Sequence, residues 1–286
     1  MRIVSLLPST TEILFAIGAG PDVVGVTFEC DFPVEARSRR IVSTSAMPEG
    51  LAPAEIDAFV TSAMTRGEDL YHLDEGALAG LDADLVVTQD LCAVCAVDVS
   101  VVVDALAHLG CTAEVLTIDP HTLEEVFGSI LTLGRATGHE AQATALVDSL
   151  RARLDAGRAR VAGRPRPRVM LLEWTDPPFA PGHWVPEMID AAGGRPLLGN
   201  AGAKSERVTW EAVHEATPDL VVAAPCGYDL EGARALADEL VASGVLPEGV
   251  PGRAQAALAS TAQSGTPGNT PAACASVASR AESSSP

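Results

Sequence analysis

Residues 139–162 constrain the fold more than any other stretch, because they have the pattern of one long amphipathic helix. Apolar side chains recur in this stretch at intervals of three or four residues and therefore line one face: Ala143, Leu146, Val147, Leu150 and Leu154. Gly138 stands before the stretch and Gly163 after it, as expected for helix boundaries. At about 1.5 Å per residue, the predicted helix is roughly 35 Å long, which is about the width of a small domain.

The two sides of this predicted helix resemble each other. Each side begins with a short apolar strand, at residues 2–7 and 168–173, and a helix follows each strand. Later in each half the tetrapeptide Asp-Leu-Val-Val, at residues 84–87 and 219–222, leads towards a cysteine. Short apolar strands that alternate with helices indicate α/β units built on mainly parallel sheets. We therefore predict an α/β protein with two Rossmann-like lobes that are joined by one long α-helix.

Composition and periodicity divide the chain into four parts. We predict an N-terminal α/β lobe in residues 1–120, a helical connector in 121–164 and a C-terminal α/β lobe in 165–250. Residues 251–286 are mostly Ala, Ser, Thr, Gly and Pro, with no aromatic residue and no sustained periodicity. We expect this last part to be a disordered tail.

The chain is acidic, and its formal net charge of -19 argues against nucleic acid or an anionic membrane as the main partner. No apolar run approaches the roughly 20 residues that a membrane-spanning helix needs, so we expect no membrane insertion. Met1 leads directly into the first predicted strand, without the charged and apolar regions of an export signal. From the sequence as written we predict a cytoplasmic protein, and we expect a monomer.

The ends of the predicted strands carry the side chains from which we expect a binding site. In parallel α/β sheets, ligands bind beyond the carboxyl ends of the strands, so these segments should face one another across a cleft between the lobes. The first half contributes Ser9, Thr10, Glu29, Cys30 and Gln89. The second half contributes Trp174, Phe179, His183, Trp184, Cys226 and Tyr228. Either Ser9 or Thr10 is also expected to cap the helix after the first strand.

Residues 174–184 are predicted to form a loop that is rich in Pro and aromatic residues. Two of the three Trp residues of the chain lie in this loop. Rigid aromatic surface on a loop is more often functional than the same surface in a core, so we expect the loop to contact a ligand.

The six cysteines of the chain do not indicate a disulfide scaffold at this length. Cys92 and Cys95 form a CxxC pair, which is compatible with a redox pair, half of a zinc site or buried thiols. Cys226 and His183 are expected on neighbouring strand ends, so a metal site built from Cys92, Cys95 and Cys226 stays open. No nucleophile elbow, phosphate-binding Gly-rich loop or zincin motif occurs, and we predict that the protein is not an enzyme.

The chain resembles the substrate-binding proteins of the cobalamin and iron-siderophore ABC importers, and most of all the cobalamin-binding member. The matching stretches are residues 2–12, 24–33, 83–86, 133–135, 177–179 with Gly182, and 217–221. The resemblance implies two α/β lobes on one long helix, with a cobalamin-like corrinoid or another metal chelate in the cleft. It implies an ABC permease as partner and no required cofactor. Because a bridging helix resists bending, we expect only small lobe movement on binding.

By position, the resemblance implies ligand contacts from four residues: Ser9, Glu29, Gln89 and Phe179. Glu29 and Gln89 stand where the family has aromatic residues that sandwich its flat ligand. We therefore expect the aromatic surface to come from three other residues: Trp174, Trp184 and Tyr228. The alternative to this family function is a cytosolic thiol-ligated metal-binding protein that holds zinc with the cleft cysteines.

The resemblance also extends to docking, because the family meets its permease through one acidic residue on each lobe. Glu211 matches the residue of the second lobe. In the first lobe Glu75 lies one position away from the matching place, which Gly76 occupies. The family continues after residue 247 with a strand, an aromatic loop and a helix, where this chain has its low-complexity tail. We hypothesise that a frameshift or a mispredicted end near Gly252 and Arg253 is the origin of that tail.

Overall fold

The structure is a computed structural model that describes residues 1–89, 99–108, 111–247 and 250. Its first lobe is built on a six-stranded sheet with the order β4-β3-β2-β1-β5-β6. The strands are β1 (Ile3–Ser5), β2 (Val23–Thr27), β3 (Arg40–Ser45), β4 (Tyr71–Leu73), β5 (Leu85–Thr88) and β6 (Glu114–Thr117). Neighbouring strands are parallel except β3 and β4, which are antiparallel.

Helices cover both faces of this sheet. They are α1 (Pro8–Ala16), α2 (Pro53–Arg66), α3 (Glu75–Leu78), α4 (Val99–His108) and α5 (Leu123–Thr137). Ile3, Val23 and Val87 on the central strands are fully buried in a core with α1 and α5, whereas Val4, Val42 and Val86 belong to a second core with α2, α3 and α4. Strands buried on both faces are near-continuous apolar runs, which is why β1, β2 and β5 could be predicted from sequence.

The long helix predicted at residues 139–162 is α6, Glu140–Val161. Its buried face consists of Ala143, Val147 and Leu150, which pack into the same core as α1 and α5. Gly134 of α5 permits the close approach of the two helices, because a Cβ atom there would overlap the Cβ atom of Ala143. At its other end Val161 lies against Gly193 of the second lobe. The helix therefore packs on both lobes.

The second lobe contains two small sheets in the described part of the chain. The parallel sheet has the order β10-β7-β12, and its strands are β7 (Arg168–Leu172), β10 (Arg195–Pro196) and β12 (Leu220–Ala223). The antiparallel sheet has the order β11-β9-β8, and its strands are β8 (Trp174–Thr175), β9 (Pro178–Ala180) and β11 (Glu206–Arg207). The helices are α7 (Val185–Ala191), α8 (Trp210–Glu215) and α9 (Leu230–Ser243).

The aromatic segment at residues 174–184 is not the loop that we predicted throughout its length. Strands β8 and β9 form a hairpin in which Trp174 pairs with Phe179 and Thr175 pairs with Pro178. The two Pro residues suggested a loop, but proline is tolerated on edge strands and in turns. Strand β9 also pairs with β11, so distant residues stabilise the hairpin.

The predicted cap of α1 is wrong. The helix begins at Pro8, and Leu7 precedes it without any side-chain cap. Proline is preferred at the first helical position because its fixed φ suits the helix and its missing N–H would be unsatisfied there anyway. Thr10 lies inside the first turn, and its hydroxyl donates a hydrogen bond back to the Leu7 carbonyl oxygen at 2.9 Å.

Three further expectations from the sequence concern membrane-spanning helices, the C-terminal tail and the lobe borders. Through the described ranges, no helix is both long and apolar enough to cross a bilayer. The tail at 251–286 lies outside the described residues. The lobe borders at residues 120 and 165 stay predictions.

Candidate functional site

The start of α1 and the end of β2 are joined by a buried network of small polar groups. The Ser5 hydroxyl lies 2.8 Å from Thr10 Oγ1 and accepts a hydrogen bond of 2.8 Å from Thr11 Oγ1. Thr11 Oγ1 also lies 3.0 Å from Cys30 Sγ. Burial raises the pKa of the Cys30 thiol to about 12, so the group is a neutral thiol and a poor metal ligand near pH 7. Thr10 and Cys30, which we predicted to line the cleft, therefore belong to a buried hydrogen-bond network that stabilises the start of α1 in this structure.

Two buried carboxyl groups lie near the strand ends of the first lobe. Glu29 follows β2, and the Tyr71 hydroxyl donates to its two oxygens at 3.2 and 3.3 Å. Burial raises the pKa of Glu29 to about 8, against the opposing effect of the Tyr71 hydrogen bond, and the charge of Asp31 raises it further. Burial together with Asp31 also raises the pKa of Glu12 to about 8. Both groups are therefore mostly protonated at neutral pH.

The corresponding carboxyl group of the second lobe is Glu173, at the end of β7. It is buried and accepts hydrogen bonds from the Gly182 amide at 3.0 Å and from the Ser205 hydroxyl. Burial raises its pKa, while these two hydrogen bonds oppose the rise. The backbone amide of Cys226 donates to the Glu173 carbonyl oxygen at 3.1 Å, so the ends of β7 and β12 are joined at this residue.

Aromatic side chains flank these strand ends on both lobes. In the second lobe the rings of Trp174 and Tyr228 lie 5.8 Å apart, and both residues are half-buried. In the first lobe Phe28 lies 6.0 Å from the ring of Tyr71. Such surfaces bind flat, largely apolar ligands well.

The lobes touch where β8 and β11 meet the start of α2. Trp174 Nε1 donates to the Pro53 carbonyl oxygen at 3.1 Å, besides its local bond to Asp176. Arg207 Nη2 donates to both carboxylate oxygens of Asp57, at 2.8 and 2.7 Å, and forms an ion pair with it. Since α2 connects β3 and β4, this contact lies at one edge of the first-lobe sheet.

The remaining predicted site residues are either buried or half-buried at or near strand ends. Trp184 is only 6% exposed and packs with Leu123 and Val126, so its ring is part of the second-lobe core in this structure. Gln89 is buried at the end of β5. Five residues are half-buried at or near strand ends: Ser9, Phe179, His183, Cys226 and Tyr228.

A thiol-ligated metal site receives no support from the described residues. Among them, no group of three His, Cys, Asp or Glu side chains is placed to hold a metal ion. Cys92 and Cys95 lie outside the described residues, which leaves Cys226 as the described member of the predicted trio.

The two residues predicted to dock a permease are both on the surface. Glu75 is the first residue of α3 and Glu211 lies in the first turn of α8. Hydrogen bonds from its own backbone amide and from Thr209 lower the pKa of Glu211, so this carboxylate is charged at neutral pH. Their docking role stays a prediction.

Sequence reasoning missed several residues near the site: Glu12, Asp57, Tyr71, His121, Glu173 and Arg207. Glu173 directly follows an apolar strand, so the strand-end rule that selected Trp174 applied to it as well. Tyr71 and Asp57 had no such signal, because their roles depend on elements far away in the chain.

We expect loss of the ion pair between Arg207 and Asp57 to weaken the contact between the lobes. Arg207 is about half exposed, and pairs of this kind contribute up to about 1 kcal/mol, or roughly a fivefold shift. Arg207→Ala should therefore increase quenching of Trp174 fluorescence by acrylamide, measured in a background with Trp184→Phe and Trp210→Phe. Arg234→Ala removes the same charge from the exposed face of α9 and is the control. Equal quenching in the two variants would show that the pair does not hold the lobes together.

Two α/β lobes on one long helix, with aromatic and carboxyl side chains at facing strand ends, define a two-lobed ligand-binding protein. The chain belongs to the periplasmic binding protein family, whose model matches residues 3–246. This is a family of binding proteins and not of enzymes, in agreement with the absence of recognisable catalytic motifs in the sequence.

One curated relative is the uncharacterized ABC transporter substrate-binding lipoprotein YvrC of Bacillus subtilis. It is 30% identical over 154 residues, which are 54% of this chain and 39% of that protein. The chain thus spans about two fifths of that relative's length.

Solved structures of two Vibrio cholerae proteins share the fold. The periplasmic heme-binding protein HutB is 16% identical, with a TM-score of 0.63 and coverage of 89% of this chain and 88% of that chain. The periplasmic vitamin B12-binding protein BtuF is 20% identical, with a TM-score of 0.55 and coverage of 85% and 78%. At this identity the similarity shows the fold alone.

Proposed function

We propose that this protein is the substrate-binding component of an ABC importer and that its cleft takes a flat metal-chelate ligand, a cobalamin-like corrinoid or a heme. Family membership and the similarity to a Bacillus ABC transporter substrate-binding lipoprotein support the transport role. The similarity in fold to a vitamin B12-binding and a heme-binding protein supports both ligand types. In this role the protein works outside the cytoplasm, in contrast to our prediction from sequence of a cytoplasmic protein.

One observation carries the choice of ligand: half-buried aromatic side chains stand at the strand ends of both lobes. Phe28 belongs to the first lobe, and Trp174 and Tyr228 belong to the second. A macrocycle has two flat faces, and each face buries apolar area against an aromatic ring. Glu29 and Gln89, at the positions where the family has aromatic residues, are only 6% and 8% exposed, so we assign contact with the ligand to the aromatic residues.

The experiment is a titration of the purified protein with cyanocobalamin and, separately, with hemin. Binding is measured by ligand absorbance and by quenching of tryptophan fluorescence. We expect saturable binding of at least one ligand. Trp174→Ala should weaken it about tenfold, since loss of an aromatic contact and its buried area costs on the order of 1.4 kcal/mol. Trp174→Phe should retain most of the affinity.

Trp210→Phe is the matched control, because Trp210 is the first residue of α8 and packs against the second-lobe core. This variant should bind like the unmodified protein. If neither cyanocobalamin nor hemin binds, the proposed ligand class is wrong while membership of the family stands. If Trp174→Ala and Trp210→Phe have the same effect, the aromatic surface at the strand ends does not carry the binding.

A further inference from the structure

The chain is strongly acidic, and its single lysine lies close to two histidines near the junction of the lobes. Lys204 is the single lysine of the sequence, and the formal net charge is -19. His121 precedes α5 on the first-lobe side, and His183 precedes α7 in the second lobe. Their ring centroids lie 5.7 Å apart. Since β6 is the edge strand opposite to the α2 side of the sheet, this contact lies at the other end of the cleft from Arg207 and Asp57.

The backbone holds His183 in an uncommon conformation. Its φ is +50°, a left-handed value that residues with a side chain rarely adopt. Its amide donates to the Ala203 carbonyl oxygen at 2.6 Å, and its carbonyl oxygen accepts from the Gly202 amide at 2.9 Å. The turn before Lys204 therefore fixes the position of the imidazole. Conformations of this kind concentrate at ligand-binding positions.

Two buried nitrogen atoms beside this turn have no hydrogen-bond partner among the described residues. They are Nε2 of His183 and Nε1 of Trp184, whose rings lie 5.9 Å apart. Trp184 is 6% exposed, and an indole N–H can only donate. Buried polar atoms almost always have a partner, and Trp184 Nε1 can only donate, so this atom indicates that an acceptor group binds here.

The charges around the two imidazoles favour an anion as that acceptor. Burial lowers the pKa of His183, and so do the nearby His121 and the Lys204 ammonium group. Two carboxylates near this cluster already have donors: Glu125 accepts from the backbone amides of His121 and Thr122 at 2.5 and 3.1 Å, and Glu187 accepts from the Leu123 amide at 2.7 Å. A bound anion would reverse the electrostatic effect on His183 and favour its protonated form.

We propose that His121, His183 and Lys204 form a site for a carboxylate or phosphate group at the β6 edge of the cleft. Lys204 supplies charge and the two imidazoles supply N–H donors. His121 comes from the segment between β6 and α5, and His183 comes from the second lobe. The role of this site in binding an acidic substituent of the cleft ligand rests on the proposed function. Binding of a simple anion does not depend on that function.

The test uses the full chain and two probes, inorganic phosphate and acetate, followed by NMR of the histidine ring protons. The signals of His121 and His183, assigned with single His→Gln variants, should shift saturably with at least one probe. His214 is the internal control, because its Nε2 lies 2.8 Å from the Val245 carbonyl oxygen at another part of the second lobe. Bound anion should also raise the pKa of His183 in a pH titration. Saturation by one probe alone identifies the preferred anion.

Lys204→Gln should weaken anion binding by about threefold, in the range measured for single exposed charges. Arg195→Gln removes one exposed positive charge elsewhere in the second lobe and should leave the affinity unchanged. The proposal is overturned if neither probe gives saturable shifts at His121 and His183, or if the two variants weaken binding equally. Because no corrinoid or heme is present, this failure is distinct from failure of the cobalamin and hemin titrations.

Discussion

The free energy of unfolding is expected to fall by several kcal/mol as the pH rises from about 5 to about 8. The cause is the pair of buried carboxyl groups in the first lobe, Glu12 and Glu29. Each has a pKa near 8 in the folded protein, compared with an ordinary value of 4.5. Burial is the main reason for both, since a charged carboxylate loses hydration there.

The direction follows from proton binding. Between the unfolded and folded pKa values, the folded state of Glu12 or Glu29 retains a proton that the unfolded state has lost. Stability that is present below about pH 4.5 is therefore lost progressively up to about pH 8. Each pKa unit corresponds to 1.36 kcal/mol, so each group contributes on the order of 3–5 kcal/mol across this window.

Urea unfolding at several pH values between about 5 and 8 measures this dependence. Glu12→Gln keeps the size of the side chain and removes its titration, so the variant should lose a substantial part of the slope and gain stability at the alkaline end. Glu114→Gln, at an exposed position of β6, is the matched control and should behave like the unmodified protein. A stability that rises with pH in this range, or equal slopes for the two variants, would contradict the assignment.

Gly182→Ala should cost about 3–5 kcal/mol of stability and lower the melting temperature by roughly 10 °C. A Cβ atom at Gly182 would overlap the Ser205 nitrogen and stand 2.6 Å from the Lys204 carbonyl carbon. These are backbone atoms, so they cannot move aside as a flexible side chain does. The displaced turn would also weaken the two hydrogen bonds that satisfy Glu173, from the Gly182 amide and the Ser205 hydroxyl.

The measurement is thermal and urea unfolding of Gly182→Ala beside Gly128→Ala. Gly128 lies within α5, and a Cβ atom there meets nothing within 4 Å. Alanine is favoured over glycine inside a helix by about 1 kcal/mol, so the control should be slightly more stable than the unmodified protein. If Gly182→Ala is as stable as Gly128→Ala, the turn at Lys204 is looser than the structure indicates.

Much of the fold could be predicted because its signals are local. Helix α6 follows from a periodicity of three to four residues, and the bounds of β2, β5 and β12 match their apolar runs. Strand β3 was not predicted, because its residues are mainly polar and it has no run of this kind. Its partner β4 is only three residues long, and no local sequence pattern predicts that β4 pairs with β3.

The candidate site could be predicted only from the rule that ligands bind beyond the carboxyl ends of parallel strands. That rule selected Glu29, Trp174 and Tyr228, and it could have selected Glu173. It could not show that Trp184 packs in the core or that Cys30 braces α1, because both placements depend on the residues that surround them. This rule also cannot select His121, because only the tertiary structure brings it close to His183.

The sequence by itself therefore determined the long helix, the α/β class and the strands with clear apolar runs, since these depend on the spacing of apolar residues along the chain. Tertiary structure alone decided which carboxyl groups are neutral and where the lobes touch. Tyr71 meets Glu29 across 42 residues of sequence, and Arg207 meets Asp57 across 150. Burial and charge proximity arise from such distant contacts, and no local pattern encodes them.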